Sequence, residues 1–238
     1  MLKENNHAVK VKAKFDEVDD YVAGNSSLMV RRAIVKELVS ELQFQSYLEV
    51  GCGDGSIALS ISKTGRKLFL VDFSEKMIER ARENAALLED LNVDFEVCDI
   101  LTFEPSERFD LIICIGVLAH VSSVDGLILK LSNLLKDTGY LIVQFTDSSS
   151  VLGRRIGQYT RVSADGYQVN MISEKNIFQI FKKYGFCVLN NCSYSDSAAG
   201  LSKLSLRFAY YLKLISYKLN WPSIFSEKII LFRRVSPD

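Results

Sequence analysis

The chain has 238 residues, 29 cationic against 29 anionic side chains and 48% hydrophobic residues, enough apolar material for one sizeable core and too much for a disordered polymer. The balanced charge excludes a global attraction to nucleic acid or to anionic membranes and leaves only local patches. Five cysteines without a CxxC pair argue against a disulfide framework or a zinc site and fit a reducing cytoplasm.

The start, MLKENNHAVKVKAKF, lacks the apolar core of a signal peptide, and no apolar run reaches the roughly 18 residues of a membrane span. Residues 1–45 read as an N-terminal helical cap, an irregular lead followed by VRRAIVKELVSEL. From Ser46 short apolar runs alternate with helical patterns. SYLEVG is a strand, SIALSISKTG a helix ending near Gly65, KLFLVDFS a strand and EKMIERARENAALLEDL a helix. VDFEVCD and FDLIICIG are strands, VDGLILKLSNLLKDTG a helix and YLIVQFTD a further strand. LIICI and LIVQF are apolar on both faces, as strands covered by helices on each side must be. Strands alternating with helices imply right-handed crossovers and an α/β fold with a doubly wound, mostly parallel sheet.

Residues 147–170 read as a polar, glycine-containing loop of a length that usually serves function. ISEKNIFQIFKKYG then forms a helix, and FCVLNNCSYS and KIILFRRV two late strands, with LSKLSLRFAYYLKLISYKLNW as a helical insert between them. The expected division is a cap over 1–45, a catalytic core over 46–196 plus 227–235, and the insert over 197–226.

LEVGCGDGS, Leu48 to Ser56, places Gly51, Gly53 and Gly55 at the end of the first strand, with Glu49 just before them. A glycine-rich turn there lies at the sheet's C-terminal edge, where ligands bind, and lets main chain approach a ligand closely. A dinucleotide fingerprint would need a glycine at 56, where Ser56 stands. Carboxylates near the turn would repel a pyrophosphate, whereas Glu49 and Asp54 suit a cationic sulfonium with an amino-acid tail. Asp72 ends the second strand, 21 residues beyond Gly51, where a carboxylate can accept both ribose hydroxyl protons. Asp99 ends the third, placed for an adenine amino group, with Ile100 to pack on the ring. Each acid also has a plainer use: Asp72 as a cap for the helix beginning at Ser74, and Asp99 as an ordinary loop acid.

Together, EVGCGDG, VDFS, CDI, FDLIICIGVLAHV and YLIVQF resemble the class I S-adenosylmethionine-dependent methyltransferases over about residues 45 to 195. The resemblance implies seven strands with the last antiparallel, IILFRR being the candidate and the insert falling between strands six and seven. It also implies a glycine loop cradling the methionine part, a second-strand acid on the ribose and a third-strand acid at the adenine. The cofactor-binding candidates are therefore Glu49, Gly51, Cys52, Gly53, Asp72, Phe73, Asp99, Ile100, Ile115 and Gly116, with S-adenosyl-L-methionine as the cofactor.

After the fourth strand IGVLAHV lacks the NPPY-like sequence of amino-group enzymes and the Pro-Cys of cytosine C5 enzymes. Metal-dependent catechol enzymes carry an Asp here, and some quinone-biosynthesis relatives carry acids before the equivalent histidine. Ile115, Gly116 and Ala119 leave the place uncharged, which disfavours a metal. What remains resembles the group acting on small molecules. His120 is the candidate base for deprotonating a hydroxyl, or else packs or caps the next helix. Tyr21 either closes over the cofactor from the lid or sits in the core. Arg31 either reaches the methionine carboxylate or lies exposed on its helix. Tyr159, Arg161 and Tyr167 are candidates for the substrate pocket. The insert carries Lys203, Arg207, Lys213 and Lys218 and no acid over 201–221, so it can lie on a membrane surface, cover an apolar substrate, meet a second subunit, or pack on its own sheet. The leading expectation is O-methylation of a small natural-product, glycan or lipid-linked intermediate. The alternatives are N-methylation of a small amine, a non-catalytic partner subunit, and an RNA or protein methyltransferase, the last disfavoured by the neutral charge.

Overall fold

The computed structural model describes residues 10–13, 16, 26–157, 169–195 and 205–235. Its centre is one seven-stranded sheet in the order β3-β2-β1-β4-β5-β7-β6, formed by β1 (Ser46–Val50), β2 (Lys67–Asp72), β3 (Asn92–Val97), β4 (Phe109–Cys114), β5 (Leu135–Thr146), β6 (Phe186–Tyr194) and β7 (Glu227–Arg234). β1 pairs in parallel with β2 and β4, β2 with β3, and β4 with β5, while β7 runs antiparallel to β5 and β6. The strand order therefore matches the expected mostly parallel sheet with its last strand reversed.

The helices are α1 (Ser26–Val39), α2 (Ser56–Leu59), α3 (Glu75–Ala85), α4 (Val124–Leu134), α5 (Val151–Gly157), α6 (Glu174–Lys183) and α7 (Leu206–Leu219). β1 is buried at every position, because alternate residues face two cores. Tyr47, Leu111, Ile113 and Ile142 meet α1, α2 and α3 on one face, while Leu48, Ile112, Leu141 and Val143 meet α4 and α6 on the other. The chain runs outward through β1, β2 and β3 and returns to β4 beside β1. This reversal opens a crevice at the strand ends, where no crossover can cover both sides.

Three boundaries differ from the sequence expectation. α2 stops after four residues instead of running toward Gly65, because the hydroxyls of Ser60 and Ser62 donate back to Ile57 O and Leu59 O at 2.7 Å and compete with helix propagation. β5 begins at Leu135, inside the expected helix and turn, since Leu135 is fully buried opposite Phe109 and draws the chain into the sheet. The expected loop over 147–170 starts with α5, whose Gly153 admits no side chain. A Cβ there would stand 1.7 Å from Asp147 O.

α1 and α7 pack against each other over the β6–β7 end of the sheet. Lys213 donates to Ser27 Oγ at 2.5 Å, Lys218 pairs with Glu37 at 2.9 Å, and Arg31 Nε donates to Tyr194 OH at 3.1 Å. α7 thus turns Ala209, Lys213, Ser216 and Tyr217 inward, and leaves Phe208, Tyr211, Ile215 and Leu219 exposed at helical spacing on its outer face. Among the described residues, no helix is long and apolar enough to cross a membrane.

Candidate functional site

The turn after β1 is built from main chain. Gly51 has φ +62°, and a Cβ on it would stand 2.5 Å from Val117 Cγ2, so neither backbone nor space tolerates a side chain. Cys52 N–H donates to Val71 O at 3.1 Å and Gly53 N–H to Asp72 Oδ2 at 2.9 Å, which ties the turn to β2. Gly55 serves packing rather than a ligand. A Cβ there would press Leu70 Cδ1 at 3.0 Å and Leu59 Cδ1 at 3.2 Å, so its bareness lets α2 and α3 settle on the sheet.

Glu49 and Cys52 need correction as ligand contacts, because neither lines the cleft. The Glu49 carboxylate lies beneath the turn and accepts from Ala58 N–H at 3.0 Å. Burial pushes its pKa well above the usual carboxylate range, and Asp54 and Asp72 push it the same way. The Cys52 thiol is likewise buried behind the turn, and burial raises its pKa well above normal. Asp54 folds back on its own turn, accepting from Ser56 N–H at 3.1 Å. These residues fasten the loop from behind.

Gly51, Gly53, Asp72, Phe73, Asp99, Ile100, Ile115, Gly116 and His120 do come together, along one cleft at the strand ends. Asp72 accepts from Gly53 N–H through one oxygen and from Ser74 N–H, at 2.9 Å, through the other. A carboxylate offers about four lone-pair positions, so acceptor capacity remains for the cleft. Burial raises the Asp72 pKa against the opposing effect of these N–H donors. The cap of α3 is Ser74, which accepts from Met77 N–H, so Asp72 holds the turn before the helix rather than capping it. Asp99 opens a single 3-10 turn and accepts from Leu101 N–H at 3.0 Å, leaving its second oxygen exposed beside the buried Ile100. His120 closes a turn by donating its main-chain N–H to Val117 O at 2.8 Å, and the residue forms part of the cleft wall.

Two contributions escaped the sequence reading. Val11 lines the cleft from the N-terminal side, and Asp16 accepts from Ser74 Oγ at 2.6 Å. Gln144 and Glu227 are buried on β5 and β7 beyond Gly116. Their signal was a polar residue inside the apolar runs YLIVQF and EKIILF. Arg31 Nη1 lies 3.6 Å from where a Cβ on Gly116 would stand, so it points to the cleft's far end. Tyr21, Tyr159, Arg161 and Tyr167 lie outside the described residues.

A family model described as a methyltransferase domain matches residues 44–227. Over 113 residues the chain is 32% identical to the ubiquinone biosynthesis O-methyltransferase of Coxiella burnetii (strain Dugway 5J108-111), which covers 47% of each sequence. The chain thus spans about half the length of the curated relatives it matches. Its fold is similar to that of the N-methyltransferase NodS from Bradyrhizobium japonicum WM9, solved with S-adenosyl-L-homocysteine (TM-score 0.64, 16% identity, 97% of both chains). It is similar also to magnesium protoporphyrin IX methyltransferase from Synechocystis PCC 6803, solved with bound SAM (TM-score 0.63, 17% identity, 96% of this chain and 97% of that one). At such identities the likeness is one of fold. Since the matched family model spans well over half of it, the chain belongs to the methyltransferase-domain family.

Proposed function

We propose that the protein is an S-adenosylmethionine-dependent methyltransferase acting on an oxygen of a small biosynthetic intermediate. The observation that carries this reading is the single cleft joining Asp99 and Ile100, Asp72, and the bare main chain at Gly51 to Gly116. Its residues fit an adenosyl sulfonium. The cradle at Gly51 excludes a Cβ, and Asp72 retains lone pairs for ribose hydroxyls. The direction toward oxygen is supported by the likeness to ubiquinone biosynthesis O-methyltransferases.

Asp72 would hold the ribose, Asp99 the adenine amino group, and Arg31 the methionine carboxylate. When bound, the cofactor supplies a methyl carbon already activated by positive sulfur, which keeps the C–S electron pair on transfer. The chain's own work is then to orient the acceptor, exclude water and remove a proton. A neutral imidazole nitrogen of His120 receives the proton of the acceptor hydroxyl, a step worth about 10²–10⁴-fold in general-base catalysis.

Calorimetric titration with S-adenosylhomocysteine tests the cofactor assignment. Wild type binds and Asp72→Ala does not; tight NADH binding without homocysteine-nucleoside binding would overturn the reading. His120→Ala keeps that affinity and loses turnover of a phenolic probe such as 3,4-dihydroxybenzoate, whereas full activity removes the base.

A further inference from the structure

Past Gly116, the ends of β5 and β7 carry a polar group that the adenosyl cleft does not use. Gln144 is 4% exposed and Glu227 5% exposed. Gln144 Nε2 donates to one Glu227 oxygen, and Thr146 Oγ1 donates to the other at 2.8 Å. A carboxylate only accepts, so the amide nitrogen must face Glu227 and the amide oxygen must point away from it. That oxygen, Gln144 Oε1, is buried without a hydrogen-bond partner. It lies 3.9 Å from where a Cβ on Gly116 would stand.

A buried carbonyl left unpaired costs free energy comparable to a lost hydrogen bond, and native proteins keep few of them. This one is held in place by Glu227, which Thr146 holds in turn, and it lies behind Gly116 at the border of the cleft. An orphaned acceptor fixed at that border is what a ligand's donor would complete.

We propose that Gln144 Oε1, oriented by Glu227 and Thr146, receives a hydrogen bond from the docked methyl acceptor, donated by an amine N–H or by an O–H next to the reacting oxygen, so that the proton of a reacting hydroxyl is left to His120. This rests on the methyltransferase reading above. It narrows the acceptor to one that presents a donor besides the proton removed by His120, an amine N–H or a neighbouring O–H.

Sinefungin tests this without knowledge of the acceptor, because it bears a primary amine where the transferable methyl would be; S-adenosylhomocysteine has neither group. Calorimetry on wild type should show sinefungin binding about tenfold more tightly than S-adenosylhomocysteine, as a charge-assisted bond to a buried carbonyl provides. Gln144→Met should bring that ratio close to one while changing S-adenosylhomocysteine affinity less than about twofold, and the retained affinity reports a folded cleft. Glu227→Gln, which keeps the shape but frees the amide to turn, should lower the ratio by a smaller factor. An unchanged ratio in both variants overturns the proposal. So does a parallel loss of both ligands, which would assign the carbonyl to the amino-acid tail or to folding. If wild type binds neither ligand, the cofactor reading itself has failed, and the inference falls with it.

Discussion

At the β1–β2 side of the sheet's C-terminal edge the cleft is made of main chain, whereas at the β5–β7 side the corresponding surface is made of side chains. On the first side, N–H groups of Cys52, Gly53 and Ser74 fix a turn through Val71 O and the Asp72 carboxylate. All of these contacts fall within one βαβ unit. On the second side, Gln144 and Thr146 meet Glu227 because β7 pairs with β5, while Arg31 reaches Tyr194 and Lys213 reaches Ser27 only because α1 and α7 fold over the same end. A backbone cradle can hold a constant ligand and tolerates little change. A side-chain surface can be rewritten residue by residue, which is how one fold serves many acceptors.

The sharpest way to break this comparison is Gly51→Ala. The residue would keep a left-handed φ, costing about 1–2 kcal/mol, and its Cβ would displace Val117 from 2.5 Å. Affinity for S-adenosylhomocysteine should fall by more than about tenfold in calorimetry, against little change in Gln144→Met. Equal affinity in the two variants would erase the distinction between the sides.

A second, smaller effect separates two carboxylates by the sign of their pH dependence. Burial raises the folded-state pKa of Glu49 well above the ordinary 4.5. The folded chain therefore holds that proton more tightly than the unfolded chain. The contribution to stability is full below 4.5 and declines as pH rises through the folded value. Glu49→Gln can still accept from Ala58 N–H, so its melting temperature at pH 8 should exceed that of wild type by a few degrees, with the gap closing toward pH 4. A lower melting temperature for the variant across that range would show that the charge is needed beneath the turn.

Glu37 behaves oppositely. The Lys218 ammonium holds its carboxyl below the ordinary 4.5, so its contribution is present above 4.5 and is lost as pH falls. Because both side chains are more than half exposed, solvent screens the pair. Glu37→Gln should then cost no more than about 1 kcal/mol, measured by urea unfolding at pH 7, and the cost should shrink in 1 M salt. A larger, salt-independent loss would make the α1–α7 contact a principal support of the second side.

The amino-acid sequence by itself determined the sheet's parallel core and most of the cleft. LIICI and LIVQF had to be buried on both faces, the helices between them had to cross over, and Gly51, Asp72, Asp99 and Gly116 had to arrive at strand ends on one edge. Those inferences are local, since periodicity and strand termini are properties of contiguous segments. Where they failed, a tertiary contact had intervened: Leu135 was pulled into β5 by Phe109, and Glu49 was turned from the ligand to Ala58 N–H. Gln144 was visible as a polar residue in an apolar strand, but its partner was not. Glu227 reaches it only because β7 inserts beside β5 after a long helical excursion. Such a pairing is set by sheet register and helix packing, which no single segment encodes.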